Sequence, residues 1–481
     1  MKRKVKLIVF LVLFLCLAVI IIFKNTIRDF ADSVRTKFKD YHKILYVNFD
    51  EKTGEIKQLN GINNGPKNGY SNDEEIDSWE LDVTRIYQKI EIPFVRTHDS
   101  EYPYGQDKFI DIHCIFPDFS RDAEDPSAYN FTYTDKYVEA IIETGAEVFF
   151  RLGESIDHSG NNLYINPPED YEKWAQICEH IIRHYNEGWA EGYHYDIKFW
   201  EIWNEPDNSA NWTGTMDEYS ELYRTTASYL KKIYPDIYVG GYAAASCSEE
   251  TISLFLQYLQ KDGEKAPLDF FSWHTYTSDP AQYMENAVLV RNILDENGYK
   301  DTISILDEWN YVKNWDDLND ITEMVRSVRG ASFIAGSLIT MQYSPVDMAM
   351  YYDGQFAYEE FAWCGLYEAS GKKLPGYYIF QFFNELYQQE NQVRIDKSES
   401  LDHIYALAVS GEKDCILLTN YSEDEEISSK FRLSFNGEKN SAVITRINEA
   451  NPDGEKIQKR LFFYEMVLDV QPGETIFIEL E

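Results

Sequence analysis

Phe199-Trp200-Glu201-Ile202-Trp203-Asn204-Glu205-Pro206-Asp207 is a run of large apolar residues that breaks off into Asn-Glu-Pro. Such a run predicts a buried strand, and Pro206 stops it because proline lacks an N–H and fixes φ. The Glu205 carboxylate should therefore emerge where the strand ends. Ile303-Ser304-Ile305-Leu306-Asp307-Glu308-Trp309-Asn310 repeats the arrangement and delivers Glu308 at a strand end. A single glutamate after a strand is usually a solvated loop residue. Two of them, each flanked by tryptophan and asparagine, call for a shared explanation.

Working outward, β-type apolar runs alternate with segments of helical period from about residue 55. The expected strands are Ile56–Ile62, Ile92–Thr97, Glu147–Leu152, Ile197–Trp203, Tyr238–Tyr242, Asp269–His274, Ile303–Asp307 and Met348–Tyr352. Helices are expected over Tyr171–His184, Asp217–Ile233, Glu250–Gln260, Ala281–Asn297, Ile321–Met341 and Leu374–Gln388, two of them opened by Pro167-Pro168-Glu169-Asp170 and Thr215-Met216-Asp217-Glu218. Eight such alternations predict an α/β fold of the (β/α)8 TIM-barrel type, with its active site at the C-terminal strand ends. Glu205 and Glu308 then sit on strands four and seven. Two carboxyl groups at one barrel mouth are what glycosidic cleavage needs: an acid for the leaving oxygen, and a base or nucleophile opposite.

After about residue 392 the helical period disappears. His403–Val409, Cys415–Asn420, Lys430–Phe435, Ala442–Ile447, Leu461–Val470 and Thr475–Leu480 read as strands, with turns at Asn436-Gly437 and Pro452-Asp453-Gly454. This predicts a C-terminal antiparallel β-sandwich, to which Ile44–Phe49 is expected to add. At the other end, Lys2, Arg3, Lys4 and Lys6 precede an unbroken apolar stretch, Leu7–Phe23, without an A-x-A ending. Its length is near the lower limit for a bilayer span, and the leading charges keep its start cytoplasmic. The reading is a transmembrane signal-anchor with the rest of the chain extracellular; a cleaved signal peptide is the alternative. The expected division is 1–23 basic tail and anchor, 24–42 stalk, 43–391 catalytic barrel and 392–481 sandwich.

The 481 residues carry 45 Lys+Arg against 82 Asp+Glu, a net charge of −37. That balance argues against nucleic-acid backbones and anionic lipid as partners, and fits a neutral or cationic ligand better than a polyanion. Six cysteines lie at 16, 114, 178, 247, 364 and 415 without CxxC spacing, so neither a disulfide framework nor a zinc site is expected.

The ordered set Val95-Arg96-Thr97-His98, Asp111-Ile112-His113-Cys114-Ile115-Phe116-Pro117, Tyr129-Asn130-Phe131-Thr132, Trp203-Asn204-Glu205-Pro206-Asp207, Phe271-Ser272-Trp273-His274-Thr275-Tyr276 and Asp307-Glu308-Trp309-Asn310 resembles glycoside hydrolase family 39, the β-xylosidase and α-L-iduronidase family. The resemblance covers about residues 55–390, and the sandwich is similar to that family's C-terminal domain. It implies Glu205 as acid/base and Glu308 as nucleophile, with retention of anomeric configuration and no cofactor or metal. Beside them, Asn204 is expected to bond the sugar 2-hydroxyl, and Tyr276, two residues after His274, to donate to the nucleophile. Arg96 and His98 are expected to position Glu308 or the sugar, or to form a structural ion-pair cluster below it. Trp309 and Trp363 are expected to offer apolar faces to the ring, or to pack in the core. After strand eight the chain reads Ala349-Met350-Tyr351-Tyr352-Asp353-Gly354-Gln355, where xylosidases of the family carry a different acidic segment; Asp353 is the candidate to bind a hydroxyl there. An iduronate carboxylate would want a basic pocket, and the segment around His274 is closer to the xylosidase version. An endo-acting glycanase and a non-catalytic carbohydrate-binding protein are the other readings of the same scaffold.

Three features are read as incidental. His180 and His184 share a helix face but no Glu follows His180, so no metal site is expected. Asp50-Glu51-Lys52-Thr53-Gly54 lacks the alternating acids of a calcium loop and is read as a hairpin turn. Asn130, Asn211 and Asn420 begin N-x-S/T triplets.

Overall fold

The computed structural model describes residues 42–66, 83–99, 109–157, 159–354, 356–357, 363–368, 371–423, 427–437, 439–461 and 464–481. The Leu7–Phe23 span and most of the 24–42 stalk lie outside them. Among the described residues no helix is long and apolar enough to cross a membrane.

The first strand, β1 (Ile44–Glu55), precedes the barrel. The barrel strands are β2 (Gly61–Asn63), β3 (Phe94–Arg96), β4 (Glu147–Leu152), β5 (Phe199–Ile202), β6 (Tyr238–Ala244), β7 (Phe270–Thr277), β8 (Ile303–Tyr311) and β9 (Met348–Tyr351). All are parallel, and β9 closes on β2 through Gly61↔Met350 and Ile62↔Tyr351. Each expected strand therefore exists, although the first is only three residues long and starts later than the Ile56–Ile62 run suggests.

The helices follow their capping chemistry. Asp170 accepts from the Lys173 N–H to open Tyr171–Glu187, and Thr215 with Glu218 forms a full capping box on Met216–Ile233. The single helix expected over Ile321–Met341 is two, Leu318–Arg326 and Val328–Tyr343. Ser327 leaves helical geometry and its hydroxyl caps the Gly330 N–H, while a Cβ at Gly330 would run into the Met324 carbonyl. Apolar periodicity carries straight through such a break, which is why the pattern alone does not show it.

A two-stranded parallel pair, β10 (Phe356–Ala357) and β11 (Tyr367–Glu368), follows the barrel. Then come β12 (Asn391–Lys397), β13 (Ile404–Ser410), β14 (Asp414–Asn420), β15 (Ser429–Phe435), β16 (Ser441–Asn448), β17 (Asn451–Arg460), β18 (Glu465–Val470) and β19 (Thr475–Leu480). With β1 they form one nine-stranded sheet in the order β17-β16-β19-β14-β13-β12-β1-β15-β18. Residues from both ends of that order, such as Ile444 and Ile478 with Phe431 and Leu468, share one core, so the sheet is rolled over itself in the manner of a sandwich. Two expected turns are strand instead. Asp50–Gly54 is a bulged part of β1, and Pro452–Gly454 lies within β17, the hairpin being made at Asn448↔Asn451.

The other face of the sheet packs on the barrel. Phe382, on the helix Pro375–Tyr387, stacks on Phe477 at 4.8 Å, and Ser332 bonds Thr419 at 2.7 Å. β1 lies between β12, antiparallel, and β15, parallel, so the sheet cannot be continuous without it. Val47→Asp should test that dependence. Val47 is fully buried, and an unpaired carboxylate there should cost more than about 4 kcal/mol. Thermal melting should show a large drop in midpoint, and an unchanged midpoint would contradict the central place of β1.

Candidate active site

Strand parity layers the barrel interior. Phe94, Phe149, Phe199, Phe270, Ile305, Met348 and Met350 form an apolar floor. One step higher, two residues along each strand, stand Arg96, Arg151, Glu201, Ser272 and Asp307, all fully buried. The next step brings His98, His274 and the reacting carboxyl groups to the mouth.

Two departures from regular backbone put those carboxyl groups there. In β8 the register against β7 slips, from Trp273↔Leu306 to His274↔Glu308. Asp307 is the extra residue of a bulge. Asp307 keeps the inward parity set by Ile305, and Glu308 then turns inward as well. After β5, Trp203 and Glu205 both take left-handed φ, 71° and 46°. Each such residue costs about 1–3 kcal/mol, and the neighbours hold it. The Trp203 N–H donates to the Leu152 carbonyl at 2.6 Å, the Glu205 N–H to Ala243 at 3.0 Å, and Trp203 Nε1 to the Asn211 carbonyl at 2.9 Å.

Glu308 is ringed by donors. Arg96 Nη1 and His98 Nε2 each lie 2.8 Å from its Oε1, and the Tyr276 hydroxyl donates to its Oε2 at 2.7 Å. Glu205 receives His274 Nδ1 on Oε1 at 2.8 Å, and the side-chain amides of Asn208 and Asn211 on Oε2, each at 3.0 Å. The same His274 nitrogen lies 3.5 Å from Glu308 Oε2. An oxygen of Glu205, a nitrogen of His274 and an oxygen of Glu308 all lie within 4.8 Å of one another. So close an approach of the nearest oxygens fits carboxyl groups about 5–5.5 Å apart, acting on one centre, better than a water-activating pair about 6.5–9.5 Å apart. Glu205 is the more open of the two, its side chain 16% exposed against 5% for Glu308.

The electrostatics divide the pair. Burial alone would favour a neutral Glu308, yet His274, His98 and Arg96 together hold its carboxyl well below the usual range. Burial likewise opposes charge on His98, but Asp99 and Glu308 raise it to about 9. His274 is also pushed up against burial, by Glu308 and Asp307. Glu308 is thus held as an anion by three cationic groups, Arg96, His98 and His274, whereas Glu205 has His274 alone and two neutral amides.

Seven of the candidate residues converge here: Arg96, His98, Asn204, Glu205, His274, Tyr276 and Glu308. Asn204 accepts from Arg96 Nη2 at 2.8 Å. Three others fall differently. Trp309 is fully buried between Tyr283 and Tyr351, because the bulge that turns Glu308 inward turns its neighbour outward. Asp353 is also fully buried and accepts from the Asn64 side chain at 3.1 Å, so it faces the interior and not a ligand. Trp363 stacks on Tyr352 and meets Trp315 edge-on, and Trp315 in turn meets Tyr276. These rings make an aromatic wall beside Glu308, with Trp315 half exposed. Trp315 and Tyr352 were not singled out from the sequence, although an exposed tryptophan just after a barrel strand is a readable signal. Glu201, Asp307, Asn208 and Asn211 were missed too, and Asn211 was visible only as a glycosylation triplet.

Metal binding finds little support in these donor sets. Around Glu308 a guanidinium and two raised histidines already occupy the cation positions. A second cluster, Asp111, His113 and Glu154, lies within the same mutual 4.8 Å. There Arg151 and Ser155 hold both Asp111 oxygens, and His113 holds Glu154. His180 binds the Gln176 carbonyl, and His184 binds the Trp189 carbonyl and Asp135.

A family profile described as "Glycosyl hydrolases family 39" matches residues 62–302. A β-xylosidase of Caldicellulosiruptor saccharolyticus is 27% identical over 320 residues, which is 60% of this chain and 63% of that protein. A β-xylosidase of Geobacillus stearothermophilus is 30% identical over 175 residues, 34% of each chain. The chain thus spans under two thirds of the length of these curated relatives. The crystal structure of a glucosidase from Croceicoccus marinus superposes with a TM-score of 0.72 at 23% identity, covering 92% of this chain and 99% of that one, which shows a shared fold.

The raised His98 makes a signed prediction. The folded protein keeps that proton up to about pH 9, while the unfolded chain loses it near the ordinary 6.5. Stability from this group is complete below pH 6.5 and is lost as pH rises through about 9, a contribution of about 3 kcal/mol. Melting temperatures should fall across that window, and His98→Gln should start lower and show a shallower fall. An equal slope in the variant would mean that His98 does not carry the proton.

Proposed function

The chain belongs to glycosyl hydrolases family 39, and from that premise we propose that it is a retaining glycosidase, β-xylosidase-like and exo-acting, on neutral oligo- or polysaccharide. The observation that carries the reading is the pair of glutamate oxygens within 4.8 Å over one His274 nitrogen. Glu308 attacks the anomeric carbon as the bond to the leaving oxygen breaks, and Glu205 gives that oxygen its proton. The product of this step is a glycosyl ester on Glu308. Water then enters, Glu205 takes its proton, and the sugar leaves with its original anomeric configuration.

The surrounding residues divide the remaining work. Tyr276, His98 and Arg96 keep Glu308 ionised for attack, at the cost of some nucleophilicity that the pre-set geometry offsets. With its oxygen held by Arg96, Asn204 presents its amide N–H to the sugar 2-hydroxyl. The aromatic wall of Tyr352, Trp363 and Trp315 offers ring faces to the apolar side of the sugar. Both reacting groups are side chains, so the reaction as proposed takes no cofactor. The surplus of acidic residues disfavours a charged uronate and fits a neutral ring. The proposal also takes Leu7–Phe23 as a single-pass signal-anchor with the barrel outside the cell. Protease treatment of intact cells should release the catalytic domain; a protected domain would overturn that placement.

The two glutamates should fail differently. Glu308→Gly removes the nucleophile, so no glycosyl-enzyme forms and every substrate suffers. Glu205→Ala should still glycosylate Glu308 from a substrate with an activated aryl leaving group, and the ester should accumulate because no base activates water. Azide needs no base, so it should rescue Glu205→Ala as the glycosyl azide of the substrate's own anomer. With Glu308→Gly, azide should enter from the vacated side and give the opposite anomer. NMR of the two products decides: the reverse pattern exchanges the roles, and full activity in both variants removes the site.

A further inference from the structure

Below the reacting pair lies a second pair of acids that the reaction as proposed does not use. Glu201, on β5, and Asp307, the bulge residue of β8, are both fully buried and both sit on the Arg96 guanidinium. Arg96 Nε donates to Glu201 Oε2 at 2.7 Å and lies 3.1 Å from Asp307 Oδ2. The two carboxyl groups also meet each other within hydrogen-bonding range. Ser272 beside Glu201 and His274 beside Asp307 are further donors within reach, yet none is well aligned with Glu201 Oε1 or with either Asp307 oxygen, in a place without contact to solvent. Two carboxylates touching in a dry interior repel strongly, and a buried acceptor without a donor is costly. One proton held between them removes the repulsion and pairs one oxygen of each acid, which leaves the second Asp307 oxygen to Arg96 or His274.

The neighbours say which acid carries it. Facing the pair are Arg96 from β3, Ser272 and His274 from β7, and Glu308 beside Asp307 on β8; β6 presents Gly240, and the phenol of Tyr219 lies behind β5, neutral because burial pushes it up. Arg151 on β4 is in register with Glu201 but turns its Nη2 to Asp111. Asp307 therefore faces two cations, Arg96 and His274, whose Nε2 is 3.5 Å from its Oδ1. Glu201 faces Arg96 alone.

We propose that Glu201 is a positioning residue that stays protonated in the working enzyme and donates to Asp307, so that the Arg96 charge is shared by two anions, Asp307 and Glu308, and not three. Burial and the neighbouring Asp307 charge push Glu201 up to about 8 against the pull of Arg96, while Arg96 and His274 hold Asp307 low against its burial. The neutral acid keeps Arg96 level with the nucleophile. An ionised Glu201 would draw the guanidinium toward the floor and loosen its 2.8 Å bond to Glu308.

This rests on Glu308 as nucleophile, so the test has one arm that does not depend on turnover. Infrared difference spectra of the whole protein, parent minus Glu201→Gln at about pH 6.5, should show the carbonyl stretch of a neutral carboxylic acid, and in the parent that band should bleach as pH rises through about 8. In kinetics on an aryl glycoside, Glu201→Ala should lower kcat at least about tenfold with little change in KM, and Glu201→Gln, shaped like the neutral acid, should restore most of the loss. Absence of the band overturns the proposal, and so does a Gln variant as impaired as the Ala variant. If the parent cleaves no glycoside, the glycosidase reading fails and the infrared arm alone decides the proton. If Glu201→Gln does not fold, Asp307→Asn replaces it: with its anionic acceptor gone the Glu201 carbonyl band should shift in frequency or vanish, and a band unchanged in position and intensity overturns the donation to Asp307.

Discussion

One guanidinium organises the interior of this barrel. Arg96 is fully buried and reaches Asn63, Glu201, Asn204, Asp307 and Glu308, from three other strands and their ends, β2, β5 and β8. Removing a charge from water costs several kcal/mol even after relaxation, and it is repaid only where the partners are well placed. Here the apolar floor of Phe94, Phe149, Phe199 and Phe270 keeps water out from beneath, so the same low dielectric that makes Arg96 expensive makes its hold on Glu308 strong. A planar fork with five donors suits this task, and a lysine could not touch so many acceptors at once.

The barrel supplies the positions and the irregular backbone supplies the aim. Regular strands would send alternate side chains inward, one per layer. The β8 bulge breaks that count and lets two adjacent acids, Asp307 and Glu308, face the same interior, one buried as a counter-charge and one at the mouth. The left-handed turns at Trp203 and Glu205 do the corresponding job after β5. They swing the carboxyl toward His274, where Asn208 and Asn211 from the following loop hold it.

What could be read in the sequence follows from the same division. Strand runs, helix caps and the two terminal glutamates are local patterns, and each of the eight barrel strands was found near its expected place. Arg96 and His98 were legible because they fall at the end of the second strand, in the run Val95-Arg96-Thr97-His98 that carries the family resemblance. Parity failed where the bulge intervenes. Counting from Ile305, a regular strand sends Asp307 and Trp309 inward and Glu308 out, whereas the structure sends Trp309 into the packing against Tyr283. No residue type at 306–308 announces the slip, because it is imposed by pairing with β7. Asp353 was misjudged for a similar reason: its partner, Asn64, lies some 290 residues away in sequence. The break at Ser327, by contrast, was present in the Ser-x-x-Gly spacing and was hidden by the apolar period around it.

The pairing of β1 with β12 has a consequence for how the chain is made. Leu45 meets Lys397, roughly 350 residues later, and the whole barrel is spelled between them. A ribosome emits β1 first, yet neither of its sheet neighbours exists until the barrel has been synthesised, since β15 follows β12. Throughout that interval an apolar strand carrying Leu45, Val47 and Phe49 is without its lateral partners, at the stage when exposed edges invite wrong pairings. Topologically the barrel is an insertion in the sheet, and its closure brings the ends of that insertion within reach of each other. The docking of β1 onto β12 is then a long-range step whose entropic cost the finished barrel has already reduced.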